Sequence, residues 1–82
     1  MKVYIVYKEF LNWKEFNGAE IIGVFSMSEN AKECFEKKYQ EEMEYLEESQ
    51  YKIVTAKTGK HFAEISTVYG DVNIYLVEKE VQ

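Results

Sequence analysis

Residues 2–10, KVYIVYKEF, alternate with the period of two that a half-buried strand requires, and they are rich in β-branched and aromatic side chains. Val3, Ile5 and Tyr7 point one way, Tyr4 and Val6 the other. Residues 11–18, LNWKEFNG, carry the turn dipeptide Asn17-Gly18 and read as a loop. Residues 19–26, AEIIGVFS, form a second strand and a hairpin partner for the first. The period then changes. From there to about Ser49 nothing breaks a helix; Ser26 with Glu29 fits a capping box, and Ser28 is an alternative N-cap. At about 100° per residue, Ala31, Cys34, Phe35, Tyr39, Met43, Tyr45 and Leu46 fall within half the circumference, an apolar face suited to lying on a sheet.

Strands follow at 50–57, 61–69 and 72–80, separated by turns at Thr58-Gly59-Lys60 and Gly70-Asp71. A two-residue Gly-Asp turn pairs Tyr69 with Val72, Thr67 with Ile74 and Ile65 with Leu76. The predicted fold is therefore α+β: a five-stranded antiparallel sheet with one amphipathic helix on one face, order β-β-α-β-β-β, in a single domain over residues 1–82.

One helix covers one face of a sheet. If that face carries Val3, Ile5, Ile21, Phe25, Ile53, Ile65, Ile74 and Leu76, the other displays Tyr4, Val6, Ile22, Val24, Val54, Val68, Tyr75 and Val77. A solvated sheet face should be polar, so an apolar one marks an interface. The readings left open are a second copy of the chain, a foreign partner, strong strand twist, or the 11–17 loop folding over that face. That loop carries Leu11, Trp13 and Phe16, residues that cap a core more often than they read a ligand.

Charge sharpens the picture. The chain carries −5, which disfavours nucleic acid and anionic lipid as direct partners. Residues 29–49 hold eight Glu and three Lys, a balance of −5; the remainder holds seven acids and seven lysines. The first half of the helix offers the i,i+4 pairs Lys32–Glu36, Glu33–Lys37 and Lys37–Glu41. The second half, EEMEYLEE, sets Glu41, Glu44, Glu47 and Glu48 near the end where the helix dipole disfavours anions. Such a run is either a solvated face or an acidic docking ridge for a basic partner, with Glu41, Glu44 and Glu48 within about 60° of one another at helical spacing.

Chemistry is sparse. Cys34 is the single cysteine, so no internal disulfide forms, as befits a cytoplasmic setting, and its place on the apolar helix face predicts an inert thiol. His61 is the single histidine, at a turn; with one Cys and one His no metal site of the usual zinc type is expected. Val54 and His61 stand where a phosphate-binding loop around Gly59-Lys60 would need glycine and Ser or Thr. No cofactor is expected and no catalysis. The N-terminal segment is interrupted by Lys8 and Glu9 and lacks a small-residue cleavage site, so it does not read as a signal peptide, and no apolar run approaches the ~20 residues of a membrane span.

KVYIV at 2–6, IIGVFS at 21–26 and ENAKE at 29–33 resemble a group of small bacterial and phage proteins with a Val-Tyr-aliphatic first strand and a Gly-Val-Tyr/Phe-Ser strand-to-helix motif. The resemblance covers residues 1–35. It implies a hairpin whose second strand ends in a helix N-cap, and a phage or mobile-element setting; it implies no activity and carries over no functional residue. The expectation is an interaction protein whose acidic helix binds a host or defence protein, in the manner of phage-encoded inhibitors. The alternative is a small structural or accessory protein that oligomerises, as a dimer for instance, through the apolar back of its sheet.

Overall fold

The apolar and aromatic N-terminal run continues further than its alternation suggests, into β1 (Lys2–Trp13), which folds back on β2 (Phe16–Phe25). The architecture comes from a computed structural model describing residues 1–13 and 16–81; the side chains of Trp13 and Phe16, singled out above, lie outside the described residues. After β2 come α1 (Ser28–Glu48), β3 (Ile53–Thr58), β4 (Phe62–Thr67) and β5 (Gly70–Glu80). All pairings are antiparallel, and the strands lie in the order β2-β1-β5-β4-β3. The fold is α+β, with α1 packed on the β2, β1 and β5 part of the sheet.

The expected loop at 11–18 is mostly strand. Phe10 pairs with Gly18 and Trp13 with Phe16, and the register shift between them is absorbed at Asn12, whose φ is 58°. Asparagine tolerates this left-handed backbone better than most residues. Its amide donates to Asn17 Oδ1 at 2.7 Å. The Asn17-Gly18 pair therefore buttresses a bulge inside the hairpin and makes no turn of its own.

The helix starts at Ser28 with Met27 in the N-cap position, extended and without a capping side chain, so neither Ser26 nor Ser28 caps it. Its C-terminus is better closed. Tyr51 N–H donates to Leu46 C=O (3.0 Å) and Gln50 N–H to Glu47 C=O (3.2 Å), with Gln50 at φ 63°. This is the Schellman pattern, with glutamine where glycine is usual.

The β4–β5 turn is centred on Val68-Tyr69, not on Gly70-Asp71, and Thr67 pairs with Gly70, Ile65 with Val72 and Ala63 with Ile74. Thr67 decides this: its Oγ1 donates to Gly70 C=O (2.9 Å) and accepts from Tyr69 N–H (3.1 Å), while Gly70 takes φ 146°. The register is displaced by an even step, so every β4 and β5 side chain keeps its predicted face.

The core joins Val6, Ile74, Leu76 and Ala63 from the sheet to Ala31 and Phe35 from the helix, with Tyr4, Ile22, Phe25, Cys34 and Tyr39 against it. Burying such side chains is worth roughly 1.5–3 kcal/mol each, so this layer holds the helix to the sheet.

Candidate interaction surfaces

Two surfaces carry what the fold does not consume. The first is the outer stripe of α1. Glu41, Glu44, Glu47 and Glu48 are all exposed there, as the helical spacing predicts. The fifth glutamate of the run behaves differently. Glu42 is buried, its Oε1 accepting a hydrogen bond from Lys8 Nζ at 2.8 Å and lying 3.3 Å from Lys38 Nζ. Lys38 also reaches Glu41 at 3.9 Å, and Lys8 reaches Glu20 at 3.4 Å while its ammonium sits 4.7 Å from the centre of the Phe10 ring. These replace the three i,i+4 pairs expected in the first half of the helix. Two lysines thus neutralise the inner carboxylate, and the outer ones face water.

Tyr45, expected on the apolar face, is 55% exposed instead. At helical spacing it stands in line with Glu41 and Glu48. Its ring leans toward Tyr51 (centroids 6.4 Å), which meets Tyr69 edge-on at 5.2 Å. The acidic stripe therefore ends in a small group of tyrosines.

The second surface is the sheet face away from α1, and here the strands' assignment needs correction. Val6 is fully buried under the helix, and Tyr4 and Ile22 pack against the same core. Of the expected back-face residues, Val24, Tyr75 and Val77 do lie there, joined by Val3, Ile5, Tyr7, Ile21 and Phe62, while Val68 sits in the β4–β5 turn and Val54 at the irregular step of β3 between Ile53 and Thr55. The register gives the reason. Val6 pairs with Leu76 and Lys8 with Ile74, which fixes even-numbered β1 residues under α1; Ile5 pairs with Val77 and Tyr7 with Tyr75 on the other side. On β2 the bulge leaves Ile22 unpaired between Gly23↔Val6 and Ile21↔Tyr7, so Ile22 and Phe25 turn inward while Ile21 and Val24 turn out.

The back face is organised in rows across the strands. Ile21, Tyr7, Tyr75 and Phe62 form one row through β2, β1, β5 and β4. The Tyr7 and Tyr75 rings stack at 4.9 Å, and Tyr75 and Phe62 at 6.3 Å. Val24, Ile5 and Val77 form the next row. Ile21 and Val24 are 68% and 57% exposed. On the other flank runs a polar row, Ala19, Glu9, Asn73, Glu64 and Lys57. Glu9 Oε1 accepts from Tyr75 Oη (3.3 Å) and Asn73 Nδ2 (3.4 Å), while Asn73 Oδ1 is buried without a partner. Burial raises the Tyr75 hydroxyl above its ordinary pKa, and the charge and hydrogen bond of Glu9 raise it further.

Other chemistry is quiet. Cys34 is half-buried, and its thiol is raised above its ordinary pKa by burial and by Glu41, against the opposing pull of Lys38 and Lys37, so it is a poor nucleophile. His61 is exposed, with Lys32, Lys60 and Tyr39, on the rim of an open groove of about 600 Å³ between α1 and the β3–β4 turn. No metal-ligating cluster of His, Cys, Asp or Glu occurs among the described residues, and no helix among them is long and apolar enough to cross a membrane. Set against known protein families, curated proteins and solved structures, the chain matches none.

Proposed function

We propose that the protein is a small, non-enzymatic interaction protein of the cytoplasm whose outer helix stripe, Glu41, Glu44, Glu47 and Glu48, docks on a basic surface of another protein. One observation carries this reading: the net charge of −5 equals the balance of residues 29–49, and the glutamates of the second half stand exposed apart from Glu42. Lys8 and Lys38 hold Glu42 inward, so the helix is anchored by one carboxylate and presents the others. Carboxylates spaced along a helix imitate the charge of a phosphate backbone and compete for sites that receive nucleic acid or another anion. The resemblance of residues 1–35 to small bacterial and phage proteins supports an inhibitor of a host or defence protein as the biological form of that docking.

The test is capture from bacterial lysate by the native protein and by the Glu41→Lys, Glu44→Lys, Glu48→Lys triple variant, followed by affinity against salt for the captured partner. The expected result is a partner retained by the native protein, lost with the variant, and bound more weakly as salt rises. Equal capture by both proteins overturns the proposal. The three side chains are exposed, so an unchanged circular dichroism spectrum is expected for the variant.

A further inference from the structure

We propose that the sheet face away from α1 is the contact surface for a second copy of this chain, the two sheets packing face to face with both helices outward. This goes beyond the acidic stripe and uses the opposite side of the molecule.

Three observations converge. The face carries two apolar rows, Ile21–Tyr7–Tyr75–Phe62 and Val24–Ile5–Val77, that nothing among the described residues covers with a second layer. Contiguous apolar surface of this kind marks an interface.

The distribution of charge favours a copy of the same chain. On the back face itself the register sets three acids, Glu9, Glu64 and Asp71, against two lysines, Lys57 and Lys79, so the two sheets meet with little net repulsion. Each helix, with its −5, ends on the far side. With layers about 10 Å apart, the two helices then stand roughly 30 Å from each other, several Debye lengths at physiological salt.

The area suffices. At about 3.4 Å rise and 4.8 Å spacing, each strand residue covers roughly 16 Å² of a face. Strands of 12, 10, 6, 6 and 11 residues then set a ceiling of roughly 700 Å² per copy and roughly 1,400 Å² for the pair, which reaches the range of stable interfaces.

A two-fold axis lying in the interface parallel to the strands, and crossing the aromatic row, sets each row against its own copy.

Sedimentation equilibrium across a dilution series tests this. The native protein is expected at twice its 9.7 kDa chain mass, dissociating on dilution. The Ile21→Lys, Val24→Lys double variant and, separately, Phe62→Lys are expected at the single-chain mass with unchanged helical signal. These residues are exposed in the single chain, so the substitutions do not disturb its core. Tyr45→Lys, on the helix side, is expected to stay double. A native protein of single-chain mass at every concentration overturns the proposal; so does a double mass that persists in both back-face variants, which moves self-association to another surface such as the β3 edge.

Discussion

Lys8 Nζ and Glu42 Oε1 lie 2.8 Å apart beneath the helix, 34 residues distant in sequence and less than a tenth exposed. The pair ties the first strand to the middle of α1 and turns Lys8 toward the core side of the sheet. Each ion has a second partner, Glu20 for Lys8 and Lys38 for Glu42, so neither is left bare if the other is removed. A buried pair repays its desolvation only with such support, and its best-attested use is to select one arrangement among several. Here it selects which face of β1 lies under the helix.

Removing one member should cost less than orphaning a buried charge outright. Glu42→Leu is expected to destabilise by about 2–3 kcal/mol, below the 3–5 typical of a wholly uncompensated partner, because Glu20 still reaches Lys8. Lys8→Met should cost a similar amount. The Lys8→Met, Glu42→Leu double variant should recover most of the loss, which urea unfolding of all four proteins measures as a coupling energy. Additive losses would show that the two side chains act separately.

The same pair explains where the sequence misleads. The element types and order were legible because the periods are clear: two along the strands, 3.6 along the helix. The face of β1 was not. Val3, Ile5 and Tyr7 look like the inner set because Lys8 shares the parity of Tyr4 and Val6 and appears to belong in water. Its partner Glu42 sits inside a run of glutamates that reads as solvated, and β1 meets β5 only through a pairing across the whole chain, which no local signal fixes. On β2 the bulge at Ile22 reverses the parity midway, so Ile22 and Phe25 share a face though three residues apart. The exposed stripe of Glu41, Glu44, Glu47 and Glu48 was legible, since helical spacing alone places it. The apolar character of the back face was also legible, though with Tyr4, Val6 and Ile22 in place of Val3, Ile5, Tyr7, Ile21 and Phe62.

Gln50 closes the helix in left-handed backbone, φ 63°, where a side chain crowds its own carbonyl. Gln50→Gly relieves that strain and gives part of the gain back through the greater freedom of glycine in the unfolded chain. The expected net effect is a stabilisation of about 0.5–1 kcal/mol, read as a higher urea midpoint with an unchanged slope. Gln50→Val should move the midpoint the other way, because branching at Cβ makes the same backbone less accessible.

Tyr75 links the aromatic row to Glu9. Its hydroxyl is held above its ordinary value, first by burial and then by the Glu9 carboxylate. A folded pKa raised above the unfolded one gives stability that is complete below the unfolded value, about 10 for tyrosine, and lost as pH rises through the folded value. Stability should therefore begin to fall above about pH 10, and Tyr75→Phe should be less sensitive over that window. Ultraviolet titration of the tyrosinates is the direct check: the native protein is expected to show a late step that vanishes in Tyr75→Phe. A late step that persists in the variant assigns it to another tyrosine.

Gly23 shows what the bulge on β2 demands. It pairs with Val6 beneath the helix, and a Cβ there would lie 2.8 Å and 2.9 Å from Cε2 and Cζ of Phe25, a ring packed against the core. Carbon atoms do not approach so closely, so Gly23→Ala must push the ring away from its neighbours or move the strand. Overpacking of this kind costs about 1–3 kcal/mol. Shortening the ring side chain should relieve it: Gly23→Ala combined with Phe25→Leu is expected to lie above the sum of the two single changes in urea stability. Gly59 supplies the contrast. A Cβ there meets nothing nearer than 3.7 Å, so Gly59→Ala should be neutral or slightly stabilising by restricting the unfolded chain. Equal losses at the two positions would mean that backbone freedom, not contact with Phe25, is what glycine provides at position 23.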